Sequence, residues 1–312
     1  MSFADNGIAI VNGITNIKEK QESKTTLFHE DVEKVLDALP EKPIFDLVIS
    51  SPPYDIGKVY ENKVPLNEYL DWQKRIIIKI AKRLKPTGSL CWEVGTFVEN
   101  GVVIPLDYEL YPIFKETGLK LRNRIVWKFG HGLHSKKRFS GRHEVILWYS
   151  KSDDYVFNLD DVRIPAKYPG KKYYTGPKKG QLSGNPKGKN PEDVWDIPNV
   201  KSNHVEKTEH PCQFPVALAE RLVLALSNEN ALVFDPFAGV STTGVASLLH
   251  NRIFWGCEID DGYVEIGHQR LEDTINGTIK YRKDKPVFDP GDSPLSRVPD
   301  EWRNASNEGQ LI

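Results

Sequence analysis

Short apolar runs alternate along this chain with longer amphipathic runs, and this alternation is the strongest constraint on its fold. The apolar run from Phe45 to Ile49 ends at a Ser-Pro-Pro turn signal, so a buried strand is predicted over 43–50. Between Leu66 and Leu84 the apolar residues recur mostly at spacings of three and four, which predicts an amphipathic helix. Strands that alternate with helices favour a mainly parallel sheet with helices on both faces.

The same patterns predict the remaining elements. Further strands are expected over 89–95, 123–128, 143–151, 231–235 and 252–260. Further helices are expected over 107–118, 214–226, 242–250 and 262–275. The predicted fold class is α/β, with a doubly wound, mainly parallel, Rossmann-like sheet.

Two segments interrupt or follow this pattern. Residues 163–204 are rich in Gly, Pro, Lys and Tyr and lack helical periodicity, so they are predicted to be an insertion of loops and short strands. Residues 280–312 are polar and contain several prolines, which is typical of a strap or a disordered tail.

Composition restricts the compartment and the kinds of site. No apolar run approaches the roughly 20 residues that span a bilayer, and the N-terminus lacks the features of a secretory signal, so a cytoplasmic protein is expected. The three cysteines are widely spaced and predict neither disulfides nor a zinc site. The histidines also lack paired ligand spacing, so no metal is expected; those considered are His131, His134, His143 and His210.

The run from Asp235 to Gly244, DPFAGVSTTG, lies between a predicted strand and a predicted helix. A tight glycine turn followed by free amides at a helix N-terminus can hold an anionic cofactor group. Glu258, at the end of the next predicted strand, stands about 20 residues further on, where a carboxylate can bind ribose hydroxyls. Together these features indicate a cofactor that contains adenosine.

A second motif, Ser51-Pro52-Pro53-Tyr54, ends the strand predicted over 43–50. Two successive prolines fix a rigid turn without backbone donors, so its carbonyl groups can point at a ligand, while Tyr54 offers a flat face. Such a turn is common in loops, but here it ends a buried strand in a chain with a cofactor motif. It is therefore predicted to bind an amino group and to stack on a base.

The two motifs together resemble those of the bacterial amino-methyltransferases of DNA, the N6-adenine and N4-cytosine family. The resemblance is to the subgroup in which the catalytic motif, here Ser51 to Tyr54, precedes the cofactor motif, here Asp235 to Gly239. It implies a methyltransferase sheet with an inserted target-recognition region, S-adenosylmethionine as cofactor, and double-stranded DNA as substrate. It also implies base flipping and a role in restriction-modification.

The resemblance assigns further residues to the cofactor. Asp31 matches the family's acid that binds the cofactor adenine, and the His-Pro segment at His210 matches the one that closes over the methionine end. Where relatives usually have Gly-Ser-Gly, this chain has Gly239-Val240-Ser241. The implied cofactor-binding residues are Asp31, His210, Asp235, Phe237, Gly239, Thr242, Thr243 and Glu258.

The resemblance also implies a division of the chain. Residues 25–150 are expected to form the catalytic half of the methyltransferase domain, and residues 206–280 its cofactor-binding half. Residues 151–205 form the target-recognition insert between them, and residues 281–312 form a polar C-terminal tail.

The net charge of −1 does not indicate DNA binding, so the prediction must come from where the charge lies in the chain. DNA contacts are expected in two basic stretches. One lies between Arg122 and His143, and the other between Arg163 and Lys189, where tyrosines are interleaved and no acid occurs. The residues predicted to bind DNA are Lys136, Lys137, Arg138, Arg142, Lys171, Lys172, Lys178 and Lys179.

Several alternatives stay open. Pro211-Cys212-Gln213 matches the tripeptide around the nucleophile of cytosine-C5 enzymes, but it precedes the cofactor motif and lies in the His-Pro segment, so Cys212 is interpreted as a packing residue. An RNA-base methyltransferase and a catalytically inactive DNA-binding protein of the same fold are the rival functions. The pattern does not separate adenine from cytosine, or a monomer from a homodimer. A restriction endonuclease that acts separately is an expected partner.

Overall fold

The structure is a computed structural model that describes residues 8–12, 25–53, 64–130, 132, 134–165 and 172–282. The strands are β1 (Ile8–Asn12), β2 (Thr25–His29), β3 (Phe45–Ser50), β4 (Leu84–Val94), β5 (Thr96–Glu99), β6 (Val102–Pro105), β7 (Lys120–Lys128), β8 (His143–Ser150), β9 (Val194–Asp196), β10 (Leu232–Asp235) and β11 (Ile253–Glu258). The helices are α1 (Val32–Ala38), α2 (Leu66–Arg83), α3 (Leu106–Glu116), α4 (Val216–Leu226), α5 (Thr242–Leu249) and α6 (Asp261–Ile275). Among them, none is long and apolar enough to cross a membrane.

Most strands form a single sheet in the order β1-β2-β11-β10-β3-β4-β8-β7-β9. Every neighbouring pair is parallel except the two pairs that include β8, so β8 alone runs against the others. The remaining strands, β5 and β6, form a separate antiparallel hairpin. The predicted mainly parallel α/β sheet is confirmed.

Helices cover both faces of the sheet, because alternate side chains of the central strands point to opposite sides. On one face Val48 packs in a cluster with side chains of α1, α2 and α3, including Ile77. On the other face Leu47 packs with α4 and α5, including Leu222 and Val245. The helices that follow β3 and β10 therefore lie on opposite faces. The junction of these two strands is a topological switch point, where open α/β sheets bind their ligands.

The junction between β3 and β10 is also tightly packed. The rings of Phe45 and Phe234 stack across it, with centroids 4.4 Å apart and planes only 3° from parallel. Both side chains are fully buried. Offset aromatic pairs of this kind contribute about 0.5–1.5 kcal/mol beyond the area that they bury. The stacking therefore fixes how the ends of the two strands stand relative to each other.

Part of the insert belongs to the sheet. Strand β9 pairs in parallel with β7, and Trp127 Nε1 donates a hydrogen bond to the Ile197 carbonyl at 2.7 Å. The buried Trp195 ring lies under the guanidinium of Arg221, 4.9 Å from its centroid. The insert is thus anchored to the edge of the sheet by its last residues.

The elements that periodicity did not predict are short or exposed. Strands β1 and β2 have five residues each and helix α1 has seven, which is too little for a periodic signal. The β5–β6 hairpin is mostly exposed, so its alternation is weak. Strand β4 starts at Leu84, earlier than the strand that was predicted over 89–95.

Helix α5 approaches β11 and α6 closely at Gly244. A Cβ atom there would lie 2.6 Å from Leu271 Cδ2 and 2.7 Å from Phe254 Cδ1, and both of these side chains are buried. We predict that Gly244→Ala lowers the free energy of unfolding by about 1–3 kcal/mol, because the packed neighbours must shift. Urea unfolding monitored by circular dichroism measures this change.

Gly130→Ala is the matched control, because a Cβ atom at Gly130 meets no atom of the described residues within 4 Å. Its unfolding midpoint should stay near that of the parent protein. A Gly244→Ala protein that unfolds at the parent midpoint would contradict the close packing of α5.

Candidate active site

The carboxyl ends of β3 and β10 are joined by a hydrogen bond between side chains. Ser50 Oγ donates to Asp235 Oδ1 at 3.2 Å, and the backbone N–H of Phe237 donates to the same oxygen at 3.1 Å. Thr243 Oγ1 donates to Asp235 Oδ2 at 2.6 Å. Because Asp235 is only 1% exposed, its carboxylate is committed to contacts within the protein. It connects strand β3, the loop over residues 236–241 that joins β10 to α5 (the cofactor loop) and helix α5.

Burial dominates the electrostatics of Asp235. Desolvation raises the pKa of its carboxyl group to about 7, although the hydrogen bonds from Thr243, Phe237 and Ser50 act in the opposite direction. The side chain therefore lies at the switch point as a buried, fully hydrogen-bonded group. It does not present a free carboxylate to the surface.

Glu258 holds the cofactor loop against the end of β11. Its Oε2 accepts a hydrogen bond from the Gly239 amide at 2.8 Å, and its Oε1 accepts from the amides of Ile259 and Asp260, each at 2.9 Å. Burial raises the pKa of Glu258, while these backbone hydrogen bonds lower it. A carboxylate offers about four lone-pair directions, so Glu258 can accept further hydrogen bonds from a ligand.

Gly239 and His210 face each other across a narrow gap. Gly239 has a φ of +51°, and a Cβ atom there would lie 3.3 Å from His210 Nε2. His210 Nδ1 accepts a hydrogen bond from the Cys212 amide at 3.2 Å, so the neutral ring carries its proton on Nε2. The ring of Tyr263 packs against His210 at 4.5 Å. The structure thus brings together the glycine turn and the His-Pro segment.

Ser241 is where this chain departs from the usual Gly-Ser-Gly. Its φ of +58° lies in the left-handed region that glycine favours, and its side chain is fully buried. Among the described residues its Oγ has no hydrogen-bond partner. A Cβ atom on Gly267 of α6 would lie only 2.6 Å from this Oγ. Gly267 therefore leaves the space that Ser241 occupies.

Arg270 supports the same loop from helix α6, and the sequence analysis missed it. Its Nη1 donates to the Val240 carbonyl and to Thr242 Oγ1, the latter at 3.0 Å. Burial lowers the pKa of the guanidinium to about 10. Gly267, Arg270 and Thr274 recur at spacings of three and four on the buried face of α6, a periodicity that could have marked Arg270 as inward-facing.

Asp31 and Phe237 border the site on two sides. Asp31 Oδ1 caps α1 by accepting from the amides of Glu33 and Lys34. It follows β2, which pairs with β11 so that His29 is aligned with Glu258. The half-buried Phe237 ring, in the loop after β10, lies 5.2 Å from that of Trp72. The predicted adenine-binding residues thus lie along one edge of the sheet.

The described part of the catalytic motif lies directly after β3. Ser51 is half-buried, Pro52 is buried and Pro53 is exposed. Tyr54 lies outside the described residues. The turn therefore starts at the same sheet edge as the loop that follows Asp235.

Ion pairs separate the basic residues into two groups. The first group is paired with acids that lie mostly outside the basic runs: Arg122 with Asp153, Arg124 with Asp107, Lys128 with Asp196, Arg163 and Lys187 with Asp160, and Lys189 with Glu192. The run from Arg163 to Lys189 contains no acid of its own, but the chain folds the flanking Asp160 and Glu192 onto its two ends, so the basic residues there are ion-paired.

The second group has no ion pair with any residue that the structure describes. Its members are exposed and comprise Lys136, Lys137, Arg138, Lys172, Lys178 and Lys179. Lys178 lies over the ring of Tyr173 at 6.0 Å. Arg142 donates to the Gly141 carbonyl and lies 3.4 Å from His134 Nδ1. Lys171 lies outside the described residues.

The remaining candidate reactive groups are possible metal ligands and the cysteine thiols. Within the described ranges, no group of three or more His, Cys, Asp or Glu side chains could hold a metal ion. Cys91 and Cys257 are buried, and burial raises the pKa of both thiols. Cys212 is exposed beside His210.

Comparison with known proteins gives a consistent result. Residues 45–269 match the DNA methylase family. The chain is 48% identical over 246 residues to the Type II methyltransferase M.BglII of Bacillus subtilis, covering 78% of this chain and 68% of that protein. It is 35% identical over 285 residues to the Type II methyltransferase M.ScaI of Streptomyces caespitosus, covering 87% and 91%.

A solved structure agrees with these relatives. The DNA modification methylase TTHA0409 of Thermus thermophilus, in complex with S-adenosyl-L-methionine, superposes with a TM-score of 0.57 at 25% identity. The match covers 80% of this chain and 96% of that one. The chain belongs to the DNA methylase family. It is a DNA methyltransferase, and S-adenosylmethionine is its cofactor, as the motifs predicted.

The packing of Ser241 against Gly267 generates a prediction. We expect Ser241→Gly to raise the free energy of unfolding by about 1 kcal/mol, because it removes left-handed strain and a buried hydroxyl that has no partner among the described residues. Gly267→Ala should destabilise the parent protein by about 1–3 kcal/mol. In the Ser241→Gly background the same substitution should be much better tolerated. A double-mutant cycle by urea unfolding measures this coupling, and additive effects would contradict it.

Burial of Asp235 generates a second prediction. Since its folded pKa of about 7 exceeds the ordinary value of 3.8, the folded state holds a proton between these values that the unfolded state has lost. The free energy of unfolding of the parent protein should therefore fall, relative to that of Asp235→Asn, as the pH rises from about 4 to 7. Denaturation at several pH values measures the difference. Asp71→Asn, which changes an exposed carboxylate, is the control and should follow the parent curve.

Proposed function

We propose that this methyltransferase acts on the exocyclic amino nitrogen of adenine or cytosine in double-stranded DNA, after the base has been turned out of the helix. The observation that carries the proposal is the hydrogen bond between Ser50 and Asp235. It holds the turn that starts at Ser51 beside the cofactor loop at the switch point of the sheet. An amino group bound by the turn would thus lie next to a methyl donor bound by the loop.

The cofactor would lie along the sheet edge. Asp31 and Phe237 border the adenine, and Glu258 accepts hydrogen bonds from the ribose hydroxyls. Gly239 and His210 would lie beside the cofactor's methionine end, and a Cβ atom at position 239 would already approach His210 Nε2 to 3.3 Å. The residues present thus fit this group.

The remaining residues predicted for the cofactor act through the shape of the loop. The Asp235 carboxylate and the Thr243 hydroxyl are hydrogen-bonded to each other, and the Thr242 hydroxyl accepts from Arg270. The side chains of Asp235, Thr242 and Thr243 are at most 3% exposed. The backbone of Thr242 and Thr243, at the N-terminus of α5, supplies the amides and the positive end of the helix dipole.

Positioning accounts for the chemistry. The Ser51 hydroxyl and the Pro52 carbonyl accept hydrogen bonds from the amino group, and Tyr54 stacks on the flipped base. S-adenosylmethionine supplies an electrophilic methyl group on a sulfonium. Direct attack by the amino nitrogen would release S-adenosylhomocysteine, and the methylated nitrogen would then lose one proton to solvent, so the protein would need no nucleophile of its own. Holding the two groups in line can contribute several powers of ten in rate.

Basic residues of the loop before β8 and of the insert would bind the DNA backbone, which positions the duplex without reading its sequence. They comprise Lys136, Lys137, Arg138, Arg142, Lys171, Lys172, Lys178 and Lys179. Two relatives are named Type II methyltransferases, which supports a cytoplasmic role in restriction-modification beside a separate endonuclease.

One experiment identifies the product. Mixed-sequence DNA is incubated with the protein and methyl-labelled cofactor, digested to nucleosides and separated. We expect the label in N6-methyldeoxyadenosine or N4-methyldeoxycytidine. Label in 5-methylcytosine would contradict amino transfer, and the absence of label from the DNA would contradict the substrate.

A pair of variants tests the roles of the residues. Tyr54→Ala should keep cofactor affinity within a few-fold but lose most methyl transfer, because stacking on one base is worth about 1–3 kcal/mol. Cys212→Ser is the matched control near the cofactor loop and should keep its activity, since no thiolate is needed. Parallel loss of cofactor binding and turnover in Tyr54→Ala would move Tyr54 into the cofactor site.

A further inference from the structure

Phe139 is the most exposed large apolar side chain among the described residues. It is 98% exposed, whereas Phe157, the next most exposed phenylalanine in the described ranges, is 42% exposed and stacks on Trp148. A ring left wholly in water contributes nothing to the core. It becomes favourable only when a partner removes it from water.

Phe139 belongs to the loop between β7 and β8 and lies within its described segment 134–142. At the base of the loop the Phe129 amide donates to the Arg142 carbonyl at 2.9 Å, which continues the strand ladder. Within this segment the Ser135 amide donates to Ser140 Oγ at 3.0 Å. This second contact closes a short turn over residues 136–139. Phe139 is therefore carried by a turn that is tied at both ends.

The loop stands at the edge of the sheet where the active site lies. Strand β7 runs parallel to β3 and β4, because each of the two intervening pairings with β8 is antiparallel. Its carboxyl end at Lys128 thus lies on the same edge as Ser50. Ile275, another exposed apolar residue, ends α6 on the opposite edge.

Charge distinguishes this turn from the strand that precedes it. The basic residues of β7 itself are all ion-paired, namely Lys120, Arg122, Arg124 and Lys128. In contrast, Lys136, Lys137 and Arg138 are exposed and have no ion pair with any residue that the structure describes. An aromatic ring preceded by three available cations suits a polyanion that also offers stacked aromatic surfaces.

We propose that Phe139 is a wedge that enters the base stack of the DNA and fills the space left by the flipped base. The inference rests on the proposed function, because the space exists only if the enzyme flips its target. Turning a base out loses the stacking on both of its sides. A ring inserted from the active-site edge replaces part of that stacking, while the adjacent cations hold the flanking phosphates.

The test compares two duplexes that carry the recognition site, after the site has been mapped on methylated plasmid DNA. In one duplex the target base is paired, and in the other it faces a mismatch, so that little flipping energy is needed. We expect Phe139→Ala to lower kcat/KM about tenfold or more on the paired duplex, as other lost base–aromatic stacks do. On the mismatched duplex it should be close to the parent enzyme. Phe139→Trp should retain activity on both.

Ile275→Ala is the matched control, since it removes an exposed apolar side chain from the opposite edge, and it should be unaffected on either duplex. Equal loss in Phe139→Ala on both duplexes would overturn the wedge, because Phe139 would then act on the base after flipping. Unchanged activity would also overturn it. A parent enzyme that methylates no plasmid DNA, so that no site can be mapped, would overturn the proposed function itself, whereas the results on the two duplexes leave that function standing.

Discussion

The site depends on one buried carboxylate. Asp235 accepts hydrogen bonds from Ser50 and Thr243, residues that belong to a different strand and to the following helix. Ser50 and Asp235 are 185 positions apart in the chain, yet their side chains meet because β3 and β10 are neighbours in the sheet. A carboxylate that is shielded from water tolerates little displacement, since each lost hydrogen bond leaves a buried polar group without a partner. The order of the two motifs along the chain is therefore immaterial to the geometry of the site.

The cofactor loop is held from three directions. Glu258 binds the Gly239 amide from the end of β11, Arg270 binds the Val240 carbonyl from α6, and Asp235 binds the Phe237 amide from below. Each contact is made to the backbone of the loop, so the loop conformation does not depend on the loop's own side chains. A loop held in this way is preorganised, and little conformational entropy is lost when a ligand arrives. The left-handed Ser241 is tolerated because these contacts over-determine its conformation.

The sequence predicted the parts of this arrangement that have a period or a motif. Helix α2 and strand β3 were found because their apolar residues recur regularly, and the fold class followed from their alternation. The direction of a side chain within a motif has no such signal. Asp235 and Thr243 were expected beside the cofactor, but the structure turns both inward to satisfy each other.

Contacts between distant segments were equally invisible in the sequence. Arg163 and Lys187 look unpaired when the basic run from Arg163 to Lys189 is considered by itself. Asp160, which pairs with both, precedes the basic run and reaches them only after the chain has folded back. The hydrogen bonds of Arg270 likewise require α6 to pack beneath the cofactor loop. Periodicity can indicate that such a residue faces inward, but its partner depends on the tertiary structure.

Strand β9, the short strand at the edge of the sheet, has a mechanical consequence. It joins the insert to β7 by backbone pairing, and the Lys128–Asp196 ion pair closes the same junction at the base of the loop that carries Phe139. If the insert reads the DNA sequence and that loop opens the base stack, strand β9 links the two functions structurally. A register slip of β9 would then misalign reading and opening together. New specificities would therefore arise more readily by changes within the insert than by exchange of the whole insert, because its last residues are part of the catalytic sheet.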